Sequence, residues 1–287
     1  MKTLLKRTIS GLIYGLLLIS CTLWCKYSFL AIMLFIIVVM MNEFMKMTMG
    51  NHYRFSQCLT IFTAVSFFSL VWAVRAFPAV HAEFAFLALI PLFAVMINSL
   101  YVKDKSEFGK FTNVYTALIY IAIPFTINNF LVMDINGNYN GWLLLGFFIL
   151  IWASDIGAYI FGITFGQKYG KKLFPSISPK KSWIGFWGGM LLTVAVSLTI
   201  YFTGLWQYGG LESFSWYHAI ALAVIMDIFG VYGDLFESQW KRHYEVKDSG
   251  SIIPGHGGLL DRLDSSLFAV PAGVLYLAIF KLFEVIL

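Results

Sequence analysis

The sequence predicts an all-α, polytopic integral membrane protein with about nine transmembrane helices and a cytoplasmic N-terminus. Hydrophobic residues make up 59% of its 287 residues. Charged residues make up only 12%, whereas soluble domains carry about 25%. Two further observations support the prediction: nine apolar runs approach the length of a bilayer-spanning helix, and the segments between them alternate in lysine and arginine content.

A spanning helix requires roughly 20 apolar residues. The first two runs are separated only by Lys26 and its neighbours, which predicts a tight helical hairpin. The runs cover approximately residues 9–25, 28–45, 56–74, 83–101, 113–133, 141–163, 183–204, 217–237 and 265–287.

The basic residues fix the predicted orientation. With a cytoplasmic N-terminus, the outside segments carry only Lys26 and Arg75, and the C-terminus lies outside the cytoplasm. In a membrane protein the net charge of +5 reports this orientation and does not indicate nucleic-acid binding. The inside segments carry Lys2, Lys6, Arg7, Lys46, Arg54, Lys103, Lys105, Lys110, Lys168, Lys171, Lys172, Lys180, Lys181, Lys241, Arg242, Lys247 and Arg262.

The first five helices contain few groups that could carry chemistry. Glu43 lies at the cytoplasmic end of the second helix, where Lys46 one turn later can pair with it as a helix-end anchor. Pro124 and the pair Asn128 and Asn129 indicate a kink and interhelical hydrogen bonds in the fifth helix. These residues predict a structural role for residues 1–133.

Acidic residues inside apolar runs are the first sign of a site. A charge at the centre of a spanning helix costs about 2.5–3.5 kcal/mol, so such residues usually have a partner or a function. Asp155 lies in the sixth run and Asp227 in the eighth. Asp234 lies two helical turns after Asp227, and Ser238 lies one turn after Asp234. The three residues therefore share one helix face. Asp227 either joins helices or serves the site, whereas Asp234, beside a charged loop, favours metal ligation.

The loop after the sixth helix is the second sign. Lys168, Lys171 and Lys172 either contribute only to the positive-inside charge or contact anionic lipid headgroups. The motif Ser178-Pro179-Lys180-Lys181-Ser182 is different, because lysines and hydroxyls before a helix N-terminus can hold phosphate. Pro179 predicts a turn there. Gly185 and Gly189 in the following helix indicate close helix packing.

Residues 238–264, called the signature segment below, are the third sign. Gly255, Gly257 and Gly258 would let backbone approach a ligand closely. Asp261 and Asp264, three residues apart at the start of the last helix, can face the same way and suit Mg²⁺. Lys241, Arg242, Lys247 and Arg262 supply charge for a polyphosphate, and His256 either orients a phosphate or bonds within the loop.

At these residues the chain resembles a known family. The pattern S-x-W-K-R-x₄-K-D-x-G-x₂-I-P-G-H-G-G-L-x-D-R-L-D resembles the signature of phosphatidate cytidylyltransferases, also called CDP-diacylglycerol synthases. Residues 155–162 (D-I-G-A-Y-I-F-G) and 178–183 (S-P-K-K-S-W) resemble the family in the expected order. Two positions depart from it: Trp240 replaces an aliphatic residue, and Ile184 replaces a frequent glutamate, whose role cannot be carried over.

The resemblance implies that CTP and phosphatidate give CDP-diacylglycerol and pyrophosphate, with Mg²⁺ and possibly a second cation. The implied active-site residues are Asp234, Asp261, Asp264, Ser238 and Lys241, the three aspartates as metal ligands, with Asp155 and Asp227 less certain. The expected substrate-binding residues are Ser178, Lys180, Lys181, Ser182, Arg242, Lys247, His256, Gly257, Gly258 and Arg262.

The expected organisation is one membrane domain over residues 1–287. Residues 1–133 would be structural or dimer-forming, and residues 134–287 would be catalytic. A homodimer in a bacterial cytoplasmic membrane, with its site facing the cytoplasm, is the expected setting. Two alternatives are a CTP-dependent kinase of a lipid alcohol, disfavoured by the full-length signature, and an ion-coupled transporter, which does not explain the glycines before D-R-L-D.

Overall fold

The computed structural model describes residues 2–102, 108–255 and 257–283, with side chains described from residue 9. The described chain is predominantly helical, with two short strands, which confirms the predicted all-α fold class. It divides into two compact units. Of the described residues, the first holds the chain up to Tyr139 together with Tyr244–Arg262, and the second holds Asn140–His243 and residues 263–283.

The first unit begins with three long helices. They are α1 (Lys2–Trp24), α2 (Lys26–Met49) and α3 (Arg54–Ala76). Only Cys25 separates α1 from α2, which confirms the predicted hairpin. The Cys25 sulfur accepts a hydrogen bond from the Ser28 amide at 3.5 Å, and Ser28 Oγ accepts one from the Cys25 amide at 3.1 Å. This reciprocal cap satisfies two amides at the start of α2.

The rest of the first unit contains shorter and less regular helices. A 3₁₀ segment (Ala82–Ala88) leads into α4 (Leu89–Ser99), and α5 (Phe108–Phe111), α6 (Asn113–Ala117), a π-helical turn (Leu118–Ala122) and α7 (Ile123–Val132) follow. Pro124 is the second residue of α7, in the first turn of the helix, where a residue that cannot donate the regular backbone hydrogen bond is tolerated. Asn129 donates to the Thr126 carbonyl within α7 (2.9 Å).

The second unit contains the remaining long helices and a small hairpin. Its elements are α8 (Trp142–Phe161), a π-helical turn (Gly162–Gly166), α9 (Gln167–Tyr169), β1 (Lys172–Phe174), β2 (Ser178–Ser182), α10 (Trp183–Phe202), α11 (Leu205–Tyr208) and α12 (Trp216–His243). The last helix, α13 (Leu260–Ile279), belongs to this unit from Leu263 onward.

Eight helical segments among the described residues are long and apolar enough to span a membrane. They are Lys26–Met49, Arg54–Ala76, Ala82–Ser99, Phe108–Val132, Trp142–Tyr169, Trp183–Phe202, Trp216–His243 and Leu260–Ile279. The shorter apolar segment Ile9–Trp24 of α1 corresponds to the first predicted run. The chain is therefore a polytopic integral membrane protein.

The loop that was predicted to turn at Pro179 is a two-stranded antiparallel hairpin, so that prediction is wrong. Strands β1 and β2 pair Lys172 with Ser182 and Phe174 with Ser178. The turn lies between the strands, where the Ile177 amide donates to the Phe174 carbonyl (3.2 Å). Pro179 lies in β2, and an edge position in a two-stranded ribbon tolerates a residue without an N–H. We call residues 172–182 the lysine hairpin.

Glycines hold α8 and α10 close together, which supports the packing role predicted for Gly185 and Gly189. A Cβ at Gly185 would lie 3.0 Å from the Ala158 carbonyl oxygen, and one at Gly189 would lie 3.0 Å from that of Ser154. A Cβ at Gly157 would lie 2.6 Å from the Gly188 carbonyl oxygen. Small residues on both helices thus allow their backbones to approach, as is common in membrane proteins.

We expect Gly157→Ala to lower the free energy of unfolding by about 1–3 kcal/mol, because the added methyl group forces α8 and α10 apart. Unfolding of the purified protein in detergent micelles measures this change. Gly15→Ala is the matched control, since a Cβ at Gly15 of α1 meets nothing within 4 Å. Equal stability of the two variants would contradict the packing role of Gly157.

Candidate active site

A cavity of about 640 Å³ lies within the second unit. Residues of α8, the lysine hairpin, α10, α12 and α13 line it. Its polar lining consists of Ser154, Asp155, Tyr159, Gln167, Lys180, Lys181, Ser182, Asp234 and Ser265. The fold therefore brings two predicted phosphate-binding lysines and two predicted carboxylates to one space.

Asp234 is engaged on both carboxylate oxygens. Lys181 Nζ lies 2.7 Å from Asp234 Oδ2, and Ser238 Oγ donates to Asp234 Oδ1 at 3.2 Å. The Ser238 contact follows from the one-turn spacing on α12. The Lys181 contact joins two motifs that are 53 residues apart and aims a cation at the cavity. Lysine and carboxylate together can receive a phosphate and a metal ion.

Asp264 is buried and feels the charge of other acidic side chains. It is 7% exposed and interacts electrostatically with Asp234, Glu237 and Asp155 and with the Lys241 ammonium group. Gly233 allows the close approach of α12 and α13 that this requires, since a Cβ there would lie 2.7 Å from the Asp264 carbonyl oxygen. Such a concentration of negative charge favours a cation.

Glu237 is a buried acid that sequence reasoning missed. Its side chain is fully buried on α12 and pairs with Lys241 one turn later. The four-residue spacing of Glu237 and Lys241 on a predicted helix indicates an ion pair, so this contact could have been predicted from the sequence. Lys241, predicted to bind a polyphosphate, is itself 8% exposed and neutralises this carboxylate.

Asp227 ties helices together. It is fully buried, and its Oδ1 accepts a hydrogen bond from Ser154 Oγ of α8 at 2.6 Å. Gly189 of α10 approaches the same oxygen, because a Cβ there would lie 3.1 Å away. Of the two roles left open for Asp227, this geometry favours the structural one. Asp155, next to Ser154, is exposed and lines the cavity.

Gln167 braces the lysine hairpin and was not singled out by sequence. Its Nε2 donates to the Lys180 carbonyl oxygen, and its Oε1 accepts from Lys172 Nζ, both at 3.0 Å. Ser182 is buried and caps α10 by accepting from the Gly185 amide at 3.2 Å. These contacts hold the backbone on both sides of Lys181 and present its side chain to the cavity.

Asp261 organises the loop of the signature segment in the first unit. Its Oδ2 accepts from the Gly258 amide (2.7 Å), the Ser249 amide (2.9 Å) and Ser249 Oγ (3.0 Å). Gly257 adopts φ +86°, and a Cβ there would lie 2.8 Å from the same oxygen. The glycines therefore make room for the protein's own carboxylate, and their predicted contact with a ligand stays a prediction.

The other predicted substrate-binding residues have varied surroundings. Arg242 is exposed and donates from Nε to the Ile177 carbonyl of the lysine hairpin (3.3 Å). Lys247 and Arg262 are exposed, and Ser178 opens β2. His256 lies outside the described residues, so its two alternatives stay open. The substrate roles of all five stay predictions.

The described residues contain no group of three or more histidine, cysteine, aspartate or glutamate side chains placed to hold a metal ion. Magnesium does not require such a group, because it is commonly held by one or two carboxylates together with phosphate oxygens and water. Asp234 and Asp264 carry carboxylates, the ligand type that Mg²⁺ prefers, and Asp234 also lines the cavity.

Comparison with known proteins decides the family. A model of the cytidylyltransferase family matches residues 5–280, nearly the whole chain. The chain belongs to the cytidylyltransferase family. It is therefore a nucleotidyltransferase, and the family match extends well beyond the signature segment into the N-terminal helices.

Individual relatives of this cytidylyltransferase carry a more specific name. The phosphatidate cytidylyltransferase of Bacillus subtilis (strain 168) is 36% identical over 195 residues, which cover 67% of this chain and 68% of that protein. Those of Staphylococcus haemolyticus (strain JCSC1435) and Staphylococcus aureus (strain COL) are 42% identical over 129 and 125 residues. Each staphylococcal alignment covers 43% of this chain and 44% of the relative.

We expect Lys241→Met to lower the free energy of unfolding by about 3–5 kcal/mol, because it leaves the Glu237 carboxylate buried without its cation. The double variant Glu237→Gln, Lys241→Met should recover part of that loss. Arg242→Met is the control, since this exposed neighbour should cost less than about 1 kcal/mol. Unfolding in detergent micelles measures all three. Unchanged stability of Lys241→Met with weakened CTP binding would instead favour a direct phosphate contact.

Proposed function

We propose that this enzyme is a phosphatidate cytidylyltransferase, which converts CTP and phosphatidate into CDP-diacylglycerol and pyrophosphate. The observation that carries the proposal is the cavity of the second unit. Lys181 and Asp234 pair there at 2.7 Å, beside Lys180 and Asp155, in a chain of the cytidylyltransferase family. The names of the Bacillus and Staphylococcus relatives support the choice of phosphatidate as the acceptor.

The proposed reaction is an in-line displacement at the α-phosphorus of CTP. A phosphate oxygen of phosphatidate forms the new P–O bond, and the bond to the β-phosphate oxygen breaks and releases pyrophosphate. The attacking phosphate is already largely ionised near neutral pH, because its second pKa is about 6. A dedicated general base is therefore less necessary than the means to bring two polyanions together.

Two lysines of the cavity would reduce the electrostatic repulsion between the two anionic substrates. Lys180 and Lys181 lie on β2, which the Gln167 contact and the Ser182 cap hold in place. Fixed positive charges stabilise negative charge that develops in a transition state, since they need no reorganisation during the reaction. We assign phosphate binding to these two lysines, and assign no base to the site.

We propose Mg²⁺ as the cofactor, with Asp234 and Asp264 as the residues that would hold it. When bound, the ion would neutralise phosphate charge and align the reacting groups. The carboxylates around Asp264 support this assignment, because they gather negative charge that a divalent cation would offset. The roles of Asp261 as a further ligand and of a second cation rest on the family resemblance.

The proposed setting is the cytoplasmic membrane of a bacterium, with the cavity accessible from the cytoplasm, where CTP is found. The lysine-rich segments support that orientation through the positive-inside rule. A cavity among spanning helices would let the diacyl chains of phosphatidate remain in the bilayer while its phosphate reaches the lysines. A homodimer formed through the N-terminal helices is part of the same proposal.

We expect Asp234→Asn to lower kcat for CDP-diacylglycerol formation about a hundredfold, because it removes charge that holds both Lys181 and the metal ion. The assay uses the purified protein with CTP, phosphatidate and saturating Mg²⁺. Asp134→Asn makes the same chemical change in a loop of the first unit and should retain wild-type kcat. Near-normal turnover by folded Asp234→Asn would overturn the metal assignment, and no turnover by the wild type would overturn the function.

A further inference from the structure

Glu43 on α2 contacts the signature segment, which lies 216 residues further along the chain. Its Oε1 accepts from the Leu259 amide at 3.1 Å, and its Oε2 accepts from the Leu260 amide at 2.9 Å. The residue is 7% exposed, whereas Lys46, its expected partner, is exposed. The Glu43 carboxylate therefore accepts hydrogen bonds at the start of α13. This contact, and not the predicted role of an anchor at the end of α2, accounts for its burial.

The contact has a clear physical basis. The first amides of a helix lack partners within the helix, and the helix dipole places positive charge at that end. A carboxylate that accepts from two successive amides satisfies both needs at once. Hydrogen bonds to a charged group are also stronger than those between neutral groups. Glu43 thus acts as a helix cap supplied by a distant segment of the chain.

Two glycines of the signature segment make room for this carboxylate. A Cβ at Gly258 would lie 2.7 Å from Glu43 Oε2, and one at Gly250 would lie 2.7 Å from Glu43 Cδ. Neither position could carry a larger residue without displacing Glu43. The glycine content of the segment is therefore explained in part by a contact within the protein.

Asp261 fixes the same loop from within. Its carboxylate accepts a hydrogen bond from the Gly258 amide, while the Glu43 carboxylate accepts hydrogen bonds from the next two amides of the chain. Two carboxylates thus accept hydrogen bonds from three successive amides, those of Gly258, Leu259 and Leu260. Both carboxylates therefore hold the backbone at the start of α13, which carries the D-R-L-D sequence.

We propose that Glu43 is a positioning residue for the cytidylyl transfer, which holds the start of α13 and thereby orients the D-R-L-D carboxylates. This inference rests on the proposed function. It assigns to the N-terminal helices, which sequence reasoning treated as structural or dimer-forming, an indirect effect on the reaction through the start of α13. Glu43 does not itself touch the substrates.

Amide hydrogen exchange and enzyme kinetics on the membrane-reconstituted full chain test the proposal. Glu43→Gln is isosteric but can accept with only one oxygen, and Glu43→Ala removes both acceptors. Exchange in residues 244–262 should quicken about tenfold in Glu43→Gln and further in Glu43→Ala, as the loss of a charge-assisted hydrogen bond predicts. In parallel, kcat should fall about tenfold or more while KM for CTP stays near the wild-type value.

Glu212→Gln is the matched control, because it makes the same change at an exposed residue of the second unit and should alter neither readout. A packing role alone predicts that the isosteric Glu43→Gln behaves as the wild type in both readouts, and that result would overturn the proposal. Faster exchange with unchanged kcat would overturn it as well. If the wild type makes no CDP-diacylglycerol, the proposed function fails, and exchange still decides whether Glu43 holds the loop.

Gly250→Ala approaches the same contact from the loop, since the three atoms nearest to a Cβ there all belong to Glu43. It should reproduce the loss of kcat, because the new methyl group displaces the Glu43 carboxylate. Combined with Glu43→Gln, it should add little further loss, since both changes break one interaction. Fully additive losses in this double-mutant cycle would show that the two residues act separately and would contradict the proposal.

Discussion

The structure depends on the cost of placing carboxylates among apolar helices. A charged group without a partner is expensive in a membrane protein, so each buried acid must find a donor or a cation. Asp227 accepts a hydrogen bond from the Ser154 hydroxyl, and Glu43 accepts hydrogen bonds from two backbone amides. Glu237 forms an ion pair with Lys241. The contacts of Asp227 and Glu43 link separate segments of the chain, whereas Glu237 and Lys241 pair along α12. Together they fix the positions from which the reactive groups extend.

The same requirement accounts for the composition of the site. Asp234 meets Lys181, and Asp264 lies among further carboxylates with Lys241 nearby. Some of these charges are compensated within the protein, and the remainder favours a cation and phosphate groups. Glycines at the helix contacts allow this clustering, because they let backbones approach where a side chain would intervene. The same polar groups thus stabilise the packing of the helices and form the site.

Much of this arrangement could be predicted from sequence where the relevant spacing is local. The apolar runs located the spanning helices, and the one-turn spacing placed Asp234 and Ser238 on one helix face, where the structure shows a hydrogen bond between them. Contacts between distant segments could not be found in this way. The partner of Glu43 is set by the tertiary fold, and the lysine hairpin was missed because its strands are short and contain Pro179. Local propensity carries little information about such elements.

The central claim is that the polar cavity transfers a cytidylyl group to a lipid phosphate. Its most direct test supplies the reconstituted protein and phosphatidate with CTP that is labelled with ³²P at either the α- or the γ-phosphate. Our account predicts that the α-label enters the lipid product while the γ-label leaves as pyrophosphate. Transfer of the γ-label to lipid, with release of CDP, would contradict it and would identify a CTP-dependent kinase.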